Sequence, residues 1–230
     1  STTMYMYSKS KYLIFCLIIC LFACNSNNEV SEEKVLPVQN NNTSSYALDK
    51  KNTKIIWNGY KTSDKVKVVG FFTEFSTNRD ILDSSFTSVI DLVEGLEFSI
   101  NSSSSSSGDP IRDGNLRDFF FKYLTDGFMI KGVLGRPGYE CPSDSIDIVF
   151  NIFNIDYNLR FGFNYNMENG LIEIKGPIQL ESEFGAVRAY NAINEKCYDL
   201  HKGADGVSVT WKEVDVHIKA PIITIDRSLK

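Results

Sequence analysis

The stretch 155-IDYNLRFGFNYNMENGLIEIKGPIQL-180 decides the fold. In its first part Ile155, Tyr157, Leu159, Phe161, Phe163 and Tyr165 alternate with Asp156, Asn158, Arg160, Gly162 and Asn164. Successive side chains of a strand point to opposite faces, so this period-2 pattern predicts one face in a core and the other in water. Asn169-Gly170 follows, a strong hairpin signal because both residues tolerate positive φ. The chain then returns with Ile172, Ile174, Ile178 and Leu180 on one face and Glu173, Lys175 and Gln179 on the other. Gly176-Pro177 marks a bulge or an edge position, since proline has no amide proton to give a ladder.

The same period spreads outward from this hairpin. Residues 144–154 carry Ile146, Ile148, Phe150 and Ile152 on one face, and residues 127–136 carry Phe128, Ile130 and Leu134. Val214, Val216 and Ile218 alternate with Asp215, His217 and Lys219, which leaves His217 on the wet face. Residues 46–49 and 53–60 read as opening strands, and residues 66–75 are apolar on both faces, predicting a strand buried twice. Three stretches have helical spacing: 86–95, 112–124 and 185–200. Seven or eight hairpin-linked strands with a few connecting helices make the fold class mainly β, an antiparallel sandwich or barrel.

Composition agrees. Aromatic residues are 13% of the chain, with 16 Phe and 11 Tyr, which favours strands. The net charge of -5 speaks against nucleic acid, because phosphate binding needs a basic footprint.

The N-terminal segment reads as an address. Lys9 and Lys11 precede 12 uncharged residues, 12–23, which form a secretory signal too short to span a bilayer. Leu21-Phe22-Ala23-Cys24 resembles a bacterial lipobox, in which the cysteine after the cleavage point takes the lipid. The expected organisation is therefore a signal peptide over 1–23, a polar tether over 24–44 and one domain over 45–226. The expected place is the bacterial cell envelope, membrane-anchored through Cys24. Of the remaining cysteines, Cys141 and Cys197 form an even pair in an oxidising compartment, so a disulfide between them is expected. No CxxC or Cys/His spacing points to a metal, and no nucleophile elbow, phosphate loop, HExxH or dinucleotide fingerprint points to catalysis. The expectation is a protein that is not an enzyme and needs no cofactor.

Three segments carry a family resemblance. Ser45-Tyr46-Ala47-Leu48-Asp49, Ile56-Trp57-Asn58-Gly59-Tyr60 and Val69-Gly70-Phe71-Phe72 resemble the opening of YceI-like proteins. Phe98-Ser99-Ile100, the serine loop and 112-RDGNLRDFF-120 resemble the most distinctive segment of that family. The likeness spans roughly residues 45–225. It implies a lipocalin-like antiparallel β-barrel holding a polyisoprenoid or similar amphiphile. Residues 183–206 depart from the pattern as a helical insertion containing Cys197.

Phe128, Phe150, Tyr157, Phe161 and Phe163 face inward by alternation, which suits either the wall of an isoprenoid pocket or a packed barrel core. Two roles fit Arg112-Asp113. Arg112 meets a phosphate or other polar head group by paired hydrogen bonds, or Arg112 pairs with a nearby acid while Asp113 caps a helix start. The functional expectation is a lipid-anchored envelope protein whose barrel binds an apolar or amphiphilic ligand. The alternative is a structural module with a filled barrel and no ligand.

Overall fold

The computed structural model describes residues 44–79, 86–138 and 143–226. Cys24, Cys141, the signal and nearly all of the tether lie outside them.

The described strands are β1 (Ser44–Leu48), β2 (Lys54–Lys61), β3 (Val66–Phe72), β4 (Phe75–Thr77), β5 (Glu97–Asn101), β6 (Ser105–Ser106), β7 (Met129–Leu134), β8 (Ser143–Ile152), β9 (Ile155–Asn166), β10 (Leu171–Gln179) and β11 (Glu213–Asp226). All pairings are antiparallel. Three pairs of segments lie end to end. β1 and β2 run along successive parts of β11, joined by a turn in which Asn52 donates to the Asp49 carboxylate at 2.7 Å. β3 continues into β4 and β5 into β6, and the two bent strands stay bonded through the kink by Asn101 N to Glu74 O (3.0 Å) and Glu74 N to Ser104 Oγ (3.0 Å). β4 pairs β5 and β3 pairs β6, so the eleven segments act as eight strands and the sheet closes on itself. Eight strands enclose just enough room for side chains or one small ligand.

The 155–180 hairpin forms as its pattern predicts. Leu159, Phe161 and Phe163 are buried, and Asn158, Arg160 and Gly162 are exposed. The turn spans four residues between Asn166 and Leu171, and only Gly170 of its Asn-Gly pair takes positive φ (61°). Pairing of β10 with β9 stops at Lys175, so Pro177 stands where β10 has no neighbour on that side, the edge position proline requires.

β3 corrects one expectation. It is not buried on both faces. Val68 and Phe72 turn inward, while Val66, Val69 and Phe71 are exposed. Its pairing with β6 covers only Phe71 and Phe72, so among the described residues 66–70 have β2 on one side and no strand on the other.

The helices are α1 (Val89–Val93), α2 (Pro110–Leu116), α3 (Lys122–Leu124) and α4 (Val187–Lys196). A π turn over Arg117–Phe121 joins α2 to α3. Ser88 caps α1, its hydroxyl accepting from Asp91 N at 3.0 Å. α1 is short but puts Val89, Leu92 and Val93 into the core, and Gly95, at φ 73°, turns the chain back to bond Leu134 O. Asp109 caps α2 by accepting from the amides of Ile111 (3.0 Å) and Arg112 (3.1 Å), with Pro110 in the first turn.

Candidate functional site

The barrel is not filled. It holds a cavity of about 430 Å³, within the range of small-molecule sites. The barrel wall supplies Trp57, Phe72, Ile148, Phe150, Phe161 and Val216 among others. Leu116, Phe120 and Phe121 come from the α2 segment, and Phe184, Ile193 and Cys197 from the 183–206 insertion. Phe120 and Phe121 are sequence neighbours, yet both are buried, their rings edge to face at 5.2 Å across the π turn.

The cavity occupies one end of the barrel. Along β8 it is lined by Ile148 and Phe150 but not Ile146, along β9 by Phe161 but not Phe163, and along β10 by Ile174 and Ile178 but not Ile172. The other end is solid: Ile146, Phe163, Ile172, Leu134, Leu96 and Val93 are buried in one cluster there.

The mouth is the polar part. Tyr60 and Lys61 end β2, Ile111, Arg112 and Asn115 stand on α2, and Leu200 and His201 come from the insertion. Ile111 is 77% exposed and Leu200 60%, so two apolar side chains stand in solvent at the rim. Arg112 Nη2 lies 3.4 Å from Asp109 Oδ2, and its Nη1 donates to Ser107 Oγ at 3.3 Å. The amide of Arg112 and the nearby charges of Arg112 and Lys61 hold the Asp109 carboxyl below its ordinary range. Lys61 makes no ion pair within 4 Å among the described residues. His201 Nδ1 meets Thr210 Oγ1 at 2.6 Å, and burial, helped by Lys61, lowers its affinity for a proton. Burial also raises the Cys197 pKa, so this thiol is not the activated thiolate that nucleophilic catalysis needs. Both tryptophans of the chain line the cavity, Trp57 donating to Ser105 Oγ (3.1 Å) and Trp211 to Thr62 O (2.9 Å).

Of the expected site residues, Phe150, Phe161 and Arg112 meet at the cavity. Phe163 is core of the solid end. Tyr157 packs against Phe184 (6.0 Å between rings), and it is Phe184 that faces the cavity. Phe128 is outside the cavity because Gly127 and Phe128 both take positive φ in a turn that ends just before β7 begins at Met129. The helix cap is Asp109. Asp113 stands a turn later and accepts from Ser107 N (2.8 Å) and Oγ (2.6 Å), tying down the serine loop. Arg112 does pair with a nearby acid, while still reaching the mouth. Cys197 is a free thiol in the cavity wall, and Cys141, its expected partner, lies outside the described residues. His217 is not merely solvated: its Nε2 sits 2.9 Å from Glu173 Oε1 on the outer face. No group of three or more metal-ligating side chains occurs among the described residues. Lys61, Trp211, Ile111 and Leu200 carry no pattern that singles them out in the sequence. Trp57 lay inside the opening motif.

No family model matches the sequence, and no curated protein matches it. Among solved structures the chain resembles a polyisoprenoid binding domain from Saccharophagus degradans implicated in plant cell wall breakdown, at 11% identity and TM-score 0.51, covering 79% of this chain and 98% of that one. It also resembles Burkholderia cenocepacia BcnA, at 12% identity and TM-score 0.51, covering 76% and 99%. A Campylobacter jejuni YceI protein aligns at 13% identity and TM-score 0.44 over 70% of this chain and 85% of its own. The first two likenesses establish the fold, the lipocalin-like antiparallel barrel that the sequence resemblance implied.

Proposed function

We propose that this chain is a lipid-anchored protein of the bacterial envelope whose barrel binds an apolar or amphiphilic ligand, a polyisoprenoid or similar chain, without catalysing its conversion. The observation that carries this reading is the cavity of about 430 Å³ with apolar walls and a polar mouth. Burying an apolar tail there gains about 25 cal/mol for each Å² removed from water. The Saccharophagus degradans domain, a polyisoprenoid binding domain of the same fold, gives the reading a precedent. The anchor rests on the lipobox ending at Cys24 and the polar run after it. Burial holds the Cys197 thiol of the cavity wall protonated, which speaks against nucleophilic catalysis through it.

The test is mass spectrometry of an organic-solvent extract of the chain purified from envelopes under non-denaturing conditions. The expected result is one apolar chain per protein. An empty extract, repeated after incubation with total envelope lipid, sinks the reading in favour of a structural module.

A further inference from the structure

The charge at the mouth narrows the ligand, granted the binding reading above. Lys61 and Arg112 bring two positive charges, and Asp109 is the only carboxylate among the cavity-lining residues. His201 is neutral above its lowered pKa, so the rim keeps one cationic charge. Lys61 has no carboxylate within 4 Å among the described residues, and it lines the same cavity as Trp211, Thr210 and His201.

We infer that the cavity takes an amphiphile, tail inward, with an anionic head group held at the mouth by Lys61 and Arg112. A carboxylate on an acyl chain and a phosphate on a short prenyl chain share this chemistry. The head reaches the Lys61 ammonium without having to displace an existing ion pair. The exposed Ile111 and Leu200 give the first carbons of the tail an apolar path past the rim.

Trp57 and Trp211 provide the readout, since a tail entering the cavity changes the surroundings of both indoles. The purified full chain, stripped of lipid, is titrated with a ladder of saturated fatty acids from octanoate to lignocerate. Hexadecanol and farnesyl phosphate follow. Affinity should climb with tail length by up to about fourfold per methylene. Palmitate should bind about tenfold tighter than hexadecanol, the value of one charge-assisted contact. Lys61→Met should cut the preference for palmitate over hexadecanol several-fold, its urea unfolding midpoint showing that the variant is folded; an unchanged preference overturns the role of Lys61. Whichever of palmitate and farnesyl phosphate binds tighter identifies the source of the head group. Hexadecanol matching palmitate on the unaltered chain overturns the anionic head. No change of emission with any probe removes the binding function itself.

Discussion

The two ends of the barrel are built by the same strands and differ in what stands across them. At the solid end α1 delivers Val89 and Val93 into the cluster that holds Ile146, Phe163 and Ile172, and side chains meet in the middle. At the other end the α2 segment and the 183–206 insertion cross the opening, but Phe120, Phe121, Phe184 and Ile193 remain around a cavity. α4 packs there by stacking Lys196 over the Phe119 ring and Arg188 over the Tyr123 ring. The lesson is that alternation along a strand decides only which side chains point inward. The elements laid across the ends decide whether inward means packed or hollow.

Three measurements break or sharpen this contrast, the largest effect first. Ile146, 1% exposed, is at the solid end, and Ile146→Ala should cost about 3 kcal/mol or more in urea unfolding. Ile178→Ala, at the cavity wall, should cost about 1–2 kcal/mol, because one side of that residue already lacks contacts. Equal costs would mean that both ends are equally well packed. Gly70→Ala comes next. Its added methyl would lie 2.1 Å from Trp57 Cζ2, so the indole must move. The cavity gives it somewhere to go, and the expected cost is about 1–2 kcal/mol, at the low end for overpacking, with a shifted tryptophan emission. An unshifted emission would place the accommodation in the backbone instead.

The smallest effect is that of pH. Burial lowers the His201 pKa from 6.5 in the folded chain, so between the two values the unfolded chain binds the extra proton. This contribution to stability is intact above pH 6.5 and is lost as pH falls from there toward the folded value. Unfolding midpoints at neutral and mildly acidic pH should differ for the unaltered chain and differ less for His201→Gln. An unchanged difference would assign the pH dependence to other groups.

Most of the barrel was legible because most of its strands have one wet face, and the 155–180 hairpin shows this plainly. β3 was misread because an apolar residue need not be buried: Val69 and Phe71 lie outward beside Asn58 and Ile56 of β2. The site was only half legible. Phe161 and Phe163 are identical in type and face, and only their distance from the mouth separates a cavity wall from core. Phe128 was lost to a turn with two consecutive positive φ angles, which a bulky residue rarely adopts. Lys61 belongs to no periodic pattern, so only its placement beside the cavity reveals it.

The position of β11 has a consequence for how the molecule comes into being. Of the described strands it is the last to be made, yet it stands between β10 and β2 and also carries β1. Until it exists, the two flanks of the sheet have nothing to join them, and Ser44 waits for Asp226. Closure therefore spans nearly the whole described chain, and non-local pairing of this kind puts folding in the slow, millisecond-to-second class. Folding cannot be completed piecemeal during synthesis: the barrel closes only once β11 has been made.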